Sequence, residues 1–421
     1  MNHTVFLTLS ACLIYAVTAG IRGNYGILLG PLSESTGIGY SSISFVLAIA
    51  QLTFGAMQPF FGIMTMKKSN LFVLRSGILL IVCGLCLLPM CNSVPLLLAV
   101  LGIMIPSGTA ALSYGIIMGT ITPLLPSKTV STVSGIVSAS SGIGSTVFSP
   151  ILQIVSAAAG LIGAICFLGV PALLLLPVTL YIGQLSAKQA NSHITTSSGD
   201  APATDSTALS ADDSGATANS NSPSLTAMFR DAVKNRDYIR ILMGFFTCGF
   251  HMAIIETHLY TQITTYGFSG QTAALAFSIY GIATMVGSVS SGMMCSRFPM
   301  KNVLGSLYAS RIVWILSFLL LPKNLATVFL FAICLGLTGG ATVPPTSGIT
   351  GHLFGAKKLS TLFGIAFFCH QIGSFFSAWF GGICVSATGG YTLIWLADAL
   401  LCVMAATVSY RIKDLPIKKS A

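Results

Sequence analysis

An all-α integral membrane protein, built as two pseudo-symmetric six-helix bundles, is the fold class that three features of this sequence predict. Of its 421 residues, 54% are hydrophobic and only 7% charged. A soluble domain carries about 25% charged side chains, so a surface this poor in charge has to face lipid. The apolar residues also gather into runs about as long as a helix needs to cross the hydrocarbon core, roughly 20 residues. Finally, the two halves of the chain repeat one another at an offset of 229 residues.

Twelve runs emerge in order, at 4–29, 42–64, 72–91, 94–120, 129–156, 161–183, 239–264, 270–296, 301–321, 325–350, 359–385 and 391–411. Each is continuously apolar, which predicts a helix and not the alternating strand of a β-barrel. A helix also satisfies its own backbone polar groups where water is absent. No small-residue cleavage site follows the first run, so it is expected to be a retained helix and not a signal peptide. Alternating the loops between two sides puts Lys67, Lys68, Arg75, Lys128, Lys188, the 230–240 cluster, Arg297, Lys301, Lys357, Lys358 and the 411–419 group together, and leaves only Lys323 opposite. By the positive-inside rule both termini are expected in the cytoplasm. The net charge of +10 is then a matter of topology and not a nucleic-acid footprint. The 11 cysteines lie almost wholly inside apolar runs. Even the CxxC of Cys83 and Cys86 lacks a second pair or a nearby histidine, so packing is expected there, with neither metal nor cofactor.

The domains are expected at 1–185 and 239–412, joined by a cytoplasmic linker at 186–238 and followed by a tail at 413–421. ANSHITTSSGDAPATDSTALSADDSGATANSNSPSLTA, residues 190–227, has few large apolar side chains; it cannot bury enough to offset its ordering entropy and is expected to be disordered. MFRDAVKNRDYIR (228–240) reads as a short surface helix. The repeat is seen where KTVSTVSGIVSASSGIGS (128–145) aligns with KKLSTLFGIAFFCHQIGS (357–374), matching Gly135 to Gly364 and Gly144 to Gly373. GIMTMKK (62–68) aligns with GMMCSRF (292–298) at 230, bringing Lys67 onto Arg297. Parallel six-helix repeats with a long linker between them are the plan of the major facilitator fold.

The first run contains an arginine, Arg22, in TAGIRGNYGILLGPL. Such a charge costs about 2.5–3.5 kcal/mol at the helix centre even on the lenient insertion scale, so it has to face protein or a cavity. Its repeat equivalent is His251, as Gly20 is that of Gly249, and the two are expected to face one another across a central cavity. A guanidinium holds a carboxylate bidentately. Arg22 is therefore expected to bind the anionic group of a substrate; snorkelling to the rim and a structural ion pair are the alternatives. Tyr25, three residues on, shares its face. In GFHMAIIETHL of the seventh run, His251 and His258 are seven apart and share a face. Glu256 is read as adjoining His258, and those two are the candidates for proton coupling, a wet structural position at the rim being the alternative for Glu256. His370 and Gln371, at mid-span in the eleventh run, offer hydrogen bonds to a substrate or to another helix. Arg311 and Asp398 fall in the ninth and twelfth runs, expected to be peripheral, where structural roles are expected. Gly62 with Lys67, and Gly292 with Arg297, suit a conformational latch of close helix approach and basic anchor, or simple anchoring.

Three stretches resemble bacterial major facilitator proteins of the monocarboxylate transporter-like group, related to oxalate/formate antiporters. They are R-x-x-Y-G-x-x-x-x-P-L at Arg22–Leu32, C-G-F-H-x-A-x-I-x-T-H-L at Cys248–Leu259, and T-L-F-G-I-x-F-x-x-H-Q-x-G at Thr361–Gly373. The resemblance implies a bacterial inner membrane and carriage of small organic anions, commonly with protons or by exchange. The chain departs from that group at Thr65 and Met66, where the loop motif usually has an Asp, at His370, where oxalate exchangers have a Lys, and at Glu256, where a small residue is usual. The expected function is a secondary transporter of a small organic anion, a monocarboxylate, working as a monomer. Efflux of amphiphilic drugs is the alternative within transport, and a non-transporting sensor the alternative of another class. An enzyme is not expected, because no Walker loop, HExxH motif or nucleophile elbow is present.

Overall fold

A computed structural model describes residues 3–126, 129–196, 230, 232–354 and 356–413, and every regular element among them is helical. Eleven stretches are long and apolar enough to cross a membrane. One of them, Gly135–Ile182 with 48 residues, would be about 70 Å long if straight. It turns at Gly160, whose φ of 59° and ψ of −154° lie outside the helical region, and so forms two spans, giving the twelve the sequence predicts. Glycine is required there because a Cβ disfavours positive φ.

In chain order, α1 is His3–Gly23, carried on beyond Asn24 by Tyr25–Thr36. α2 is Tyr40–Lys67 and α3 is Asn70–Leu87. α4 is Val94–Leu124, with a π-helical stretch at Leu98–Met104. α5 and α6 are 130–159 and 161–196, on either side of Gly160. α7 is Arg236–Thr265, with a π-helical stretch at Ile255–Leu259. α8 is Gly270–Cys295, α9 Met300–Leu320, α10 Leu325–Phe354, α11 Ala356–Thr388 and α12 Thr392–Tyr410. The first helical region runs past its expected end at 29, and α6 continues to Thr196, into the expected linker. The rest of that linker, 197–229, and the tail from 414 lie outside the described residues. Of the expected surface helix at 228–240, Arg230, Ala232 and Val233 are helical, and Asn235 then caps α7 by accepting from the Asp237 and Tyr238 amides.

The apolar core divides as the repeat requires. One cluster runs from Leu7 to Ile182, and two more draw only on residues from Ala232 to Ile412. Each bundle is pinned by the same glycine crossing. A Cβ on Gly144 of α5 would collide with the Ala16 carbonyl and the Gly20 backbone of α1. On Gly373 of α11 it would collide with the Phe246 carbonyl of α7, as one on Gly249 would with the His370 carbonyl. Small residues let backbones approach where lipid supplies no hydrophobic drive for helix association.

The contacts between the bundles lie away from the side that carries the chain ends, called here the terminal side. Tyr40 of α2 bonds His258 of α7, Tyr260 of α7 donates to Gln153 of α5, and Ser278 of α8 donates to the Thr146 carbonyl of α5 at 2.8 Å. The innermost ring contact joins Phe54 and Phe367, 6.5 Å between centroids. Beyond it, 56–67 of α2 is about 18 Å of helix. Gly62, Gly135, Gly292 and Gly364, near the terminal-side ends of α2, α5, α8 and α11, meet no atom within 4 Å of where a Cβ would stand. Among the described residues, the named contacts between the bundles thus lie toward the far side, and these glycines near the terminal-side ends meet none.

Candidate functional site

Arg22 stands in the last turn of α1, one residue before its end at Gly23, and the break that follows sets its surroundings. Asn24 donates to the Gly20 carbonyl at 2.6 Å and accepts from Ser149 of α5 at 2.5 Å, tying the interrupted turn to the N-terminal bundle. Arg22 donates from Nη1 to Gln51 Oε1 of α2 at 3.3 Å, and its guanidinium lies 4.4 Å from the centroid of the Phe54 ring. The same Gln51 donates from Nε2 to Glu256 Oε2 of α7 at 3.2 Å. Glu256 Oε2 is 3.9 Å from Arg22 Nη1, and the two side chains keep 22% and 13% exposure, so neither is fully buried in protein. Arg22 also walls a cleft with Tyr15, Thr18, Ala19, Phe54, Thr109 and Ser113. The Ser113 hydroxyl is buried and has no hydrogen-bond partner.

His251 does not face Arg22. It is fully buried, and its Nδ1 lies 2.6 Å from Asp398 Oδ2 of α12. Backbone equivalence holds, as the glycine crossings show, but the partners differ: the repeat equivalent of Asp398 is Gly169, which offers no side chain. Arg22 therefore turns to the cleft and His251 into its own bundle. Arg311 is equally buried, with Nη2 donating to the Thr338 and Gly339 carbonyls at 2.6 and 3.1 Å.

Glu256 and His258 are not neighbours on one face either. Residues two apart on an α-helix point about 200° apart, and the π-helical stretch Ile255–Leu259 shifts the register again. That shift also separates His258 from the face of His251. His258 Nε2 lies 2.9 Å from the Ala378 carbonyl of α11, which can only accept, and Nδ1 lies 2.8 Å from the Tyr40 hydroxyl. Both nitrogens are satisfied by a neutral ring, with Tyr40 donating to Nδ1. His258 is thus a strut between α2, α7 and α11, which corrects its expected place beside Glu256.

The Tyr25 hydroxyl is buried without a partner, beyond the break that separates it from Arg22. His370 stacks on Phe367 at 5.4 Å and 5°, with Nδ1 unpartnered. Gln371 packs against Gly55 of α2, and both of its amide atoms are buried without a partner. Such groups usually find a protein or water partner, so they mark where a polar guest would be welcome. Among the described residues, Gly62 and Gly292 make no close helix approach, and Lys67 and Arg297 are exposed. Gln51 escaped the sequence reading. Its signal was an amide, one of two with Gln58 in the apolar run 42–64, one helix from Arg22.

A family model described as Major Facilitator Superfamily matches residues 11–322 and 264–420. Among curated proteins the chain is similar to an uncharacterized MFS-type transporter, YcxA, of Bacillus subtilis (strain 168), 26% identical over 194 residues, 45% of this chain and 46% of that protein. It is also similar to monocarboxylate transporter 12 of Homo sapiens, 25% identical over 163 residues, 38% of this chain and 32% of that protein. The chain therefore matches less than half the length of these relatives. Among solved structures it is similar to a D-xylose-proton symporter, with a TM-score of 0.69 and 16% identity, covering 99% of this chain and 98% of that one. A bacterial homolog of the human lysosomal transporter Spinster, in an inward-facing and unoccupied conformation, has a TM-score of 0.72 at 13% identity, covering 98% of this chain and 97% of that one. At these identities the likeness is one of fold.

Proposed function

Since the chain belongs to the Major Facilitator Superfamily, we propose that it is a secondary transporter of a small organic anion, a monocarboxylate, in a bacterial inner membrane. Both termini face the cytoplasm in this reading, and with the named bundle contacts toward the far side the cleft is open inward. Each molecule works alone, because the cleft is formed within one chain.

The observation that carries the reading is Arg22 on the cleft wall. A guanidinium presents five N–H donors, and the contacts to Gln51 and Glu256 run from Nη1 alone. A cargo carboxylate can take a bidentate position on the remaining donors. Glu256 holds the place of that anion while the cleft is empty, since a lone charge at this depth is costly. Cargo displaces it, and a carboxylate left without its cation in a low-dielectric site is neutralised by a proton. Binding one anion and one proton in exchange for an internal ion pair is a route to proton coupling. The relatives named monocarboxylate transporter 12 are consistent with this cargo class. An exporter of neutral amphiphiles has no use for the guanidinium.

Uptake into proteoliposomes, over a panel of short mono- and dicarboxylates with and without a pH gradient, tests it. Transport of an anion with affinity lost in Arg22→Gln and weakened in Arg22→Lys is expected. Carriage of neutral solutes only, or unchanged affinity in both variants, overturns it.

A further inference from the structure

A second polar cluster lies wholly inside the C-terminal bundle, away from the cleft. His251 Nδ1 and Asp398 Oδ2 are 2.6 Å apart and both residues are fully buried. A carboxylate accepts, so Nδ1 carries the hydrogen, and in a neutral ring Nε2 is then a bare acceptor. No group meets it: Nε2 is buried without a partner. Asp398 Oδ1 accepts a long contact from Cys402 Sγ at 3.9 Å. Arg311, in the same bundle and also buried, adds a positive charge within electrostatic reach of the His251 ring, and its Nε and Nη1 are buried and unpartnered too. The other titratable groups turned to this cluster are Cys248 on α7 itself, Tyr308 from α9, Tyr280 from α8 and, more distantly, His370 from α11.

We propose that His251, Asp398 and Arg311 form a proton-binding site, with Nε2 of His251 as the atom that takes up the proton. Arg311 and Asp398 cancel one another, so the empty site carries no net charge. Uptake forms an N–H bond at Nε2 and converts the existing hydrogen bond into an imidazolium–carboxylate pair, stronger because both partners are charged. A buried imidazole with both nitrogens committed, such as His258, has no such capacity; His251 differs from it by one free lone pair. The site sits on α7 between the glycine crossing at Gly249 and Glu256 at the cleft. Loading it places a net positive charge on the helix that supplies Glu256, the acidic side of the Arg22 pair. It does not depend on the identity of the cargo.

Trp395 reports on this site, because its ring lies 6.3 Å from that of His251 and its Nε1 is held by Gln262 at 2.8 Å. An imidazolium quenches a neighbouring indole more strongly than a neutral imidazole does. In full-length protein with Trp314→Phe and Trp379→Phe, purified without cargo, Trp395 emission is expected to fall through a single transition on acidification from pH 9 to 5. The transition is expected to vanish in His251→Gln and to be displaced by about one pH unit or more in Asp398→Asn, in protein that remains monodisperse. Emission that is flat in the parent, or a transition unchanged in both variants, overturns the proposal. Should His251→Gln fail to remain monodisperse, the response of Asp398→Asn decides alone: displacement supports the site and identity with the parent refutes it. Because no cargo is present, this outcome stands apart from the anion reading.

Discussion

Arg22 of α1 and Glu256 of α7 lie 3.9 Å apart between the two bundles, with Gln51 of α2 bonded to both. Of the ion pairs among the described residues, this is the one that joins the bundles: Asp237 with Arg240 lies within α7, and His251 with Asp398 within the C-terminal bundle. Its length and partial exposure make it a contact that can open. In the proposed function, an electrostatic link between the bundles at the guanidinium that would hold cargo couples their relative position to whatever occupies Arg22.

Glu256→Gln removes the competing anion while keeping a hydrogen-bonding side chain. A partly exposed ion pair competes by about 1 kcal/mol, so anion affinity is expected to rise about fivefold. Without the carboxylate that takes a proton when cargo displaces it from Arg22, accumulation driven by a pH gradient is expected to disappear while anion counterflow persists. Proteoliposome counterflow and gradient-driven uptake, measured on the same preparation, separate the two. Undiminished gradient-driven accumulation removes Glu256 from the coupling.

Much of the architecture was legible because lipid imposes a length on every apolar run, and because the glycines that permit close crossing recur at the repeat offset. Arg22 stood out for the same reason, as a charge where the solvent allows none. Its partner did not. The offset carries backbone positions from one bundle to the other but says nothing of what the neighbouring helices present: His251 meets Asp398 where the other bundle has Gly169. The π-helical stretch Ile255–Leu259 leaves no mark in an apolar pattern, yet it decides where Glu256 and His258 point. Two opposite intramembrane charges on helices read as facing each other were the available clue to the Arg22–Glu256 pair.

The glycine crossings set the distance between α1 and α5 and between α7 and α11. Gly373→Ala puts a methyl group against the Phe246 carbonyl, and overpacking of this kind costs about 1–3 kcal/mol. Gly62→Ala meets no atom within 4 Å, and there the better helix former is expected to be neutral or to stabilise by up to about 1 kcal/mol. The midpoint of heat-induced loss of the monodisperse peak in detergent is expected to fall by several degrees for the first and not for the second. Equal behaviour of the two sinks the crossing argument.

Arg311 meets the carbonyls of Thr338 and Gly339 at the point where α10 tightens to a 3₁₀ turn at Gly340–Thr342. Arg311→Met fills similar space but leaves those carbonyls without their donor and removes a buried charge from the bundle. Breaking a buried charged arrangement from one side costs about 3 kcal/mol or more. The same thermal assay is expected to show a larger fall than for Gly373→Ala, and a midpoint equal to the parent's counts against the placement of Arg311 as the buried counter-charge.

Closure of the far side rests in part on Tyr40, which bonds His258 of α7 at 2.8 Å and Tyr391 at the start of α12 at 3.3 Å. Tyr40→Phe keeps the ring and removes both bonds, each worth about 1 kcal/mol net. One such bond corresponds to about a fivefold change in the ratio of the two states, so the population parted on the far side is expected to rise at least that much. Spin labels at Ser35 and Ser386, both exposed on that side and on opposite bundles, read the separation by pulsed electron resonance in an otherwise cysteine-free chain. A longer-distance component should grow in Tyr40→Phe at the expense of the short one. If the distribution is the same as in the parent, the tyrosine only fills space, and closure is held by the Gln153–Tyr260 and Thr146–Ser278 contacts between α5 and its partners.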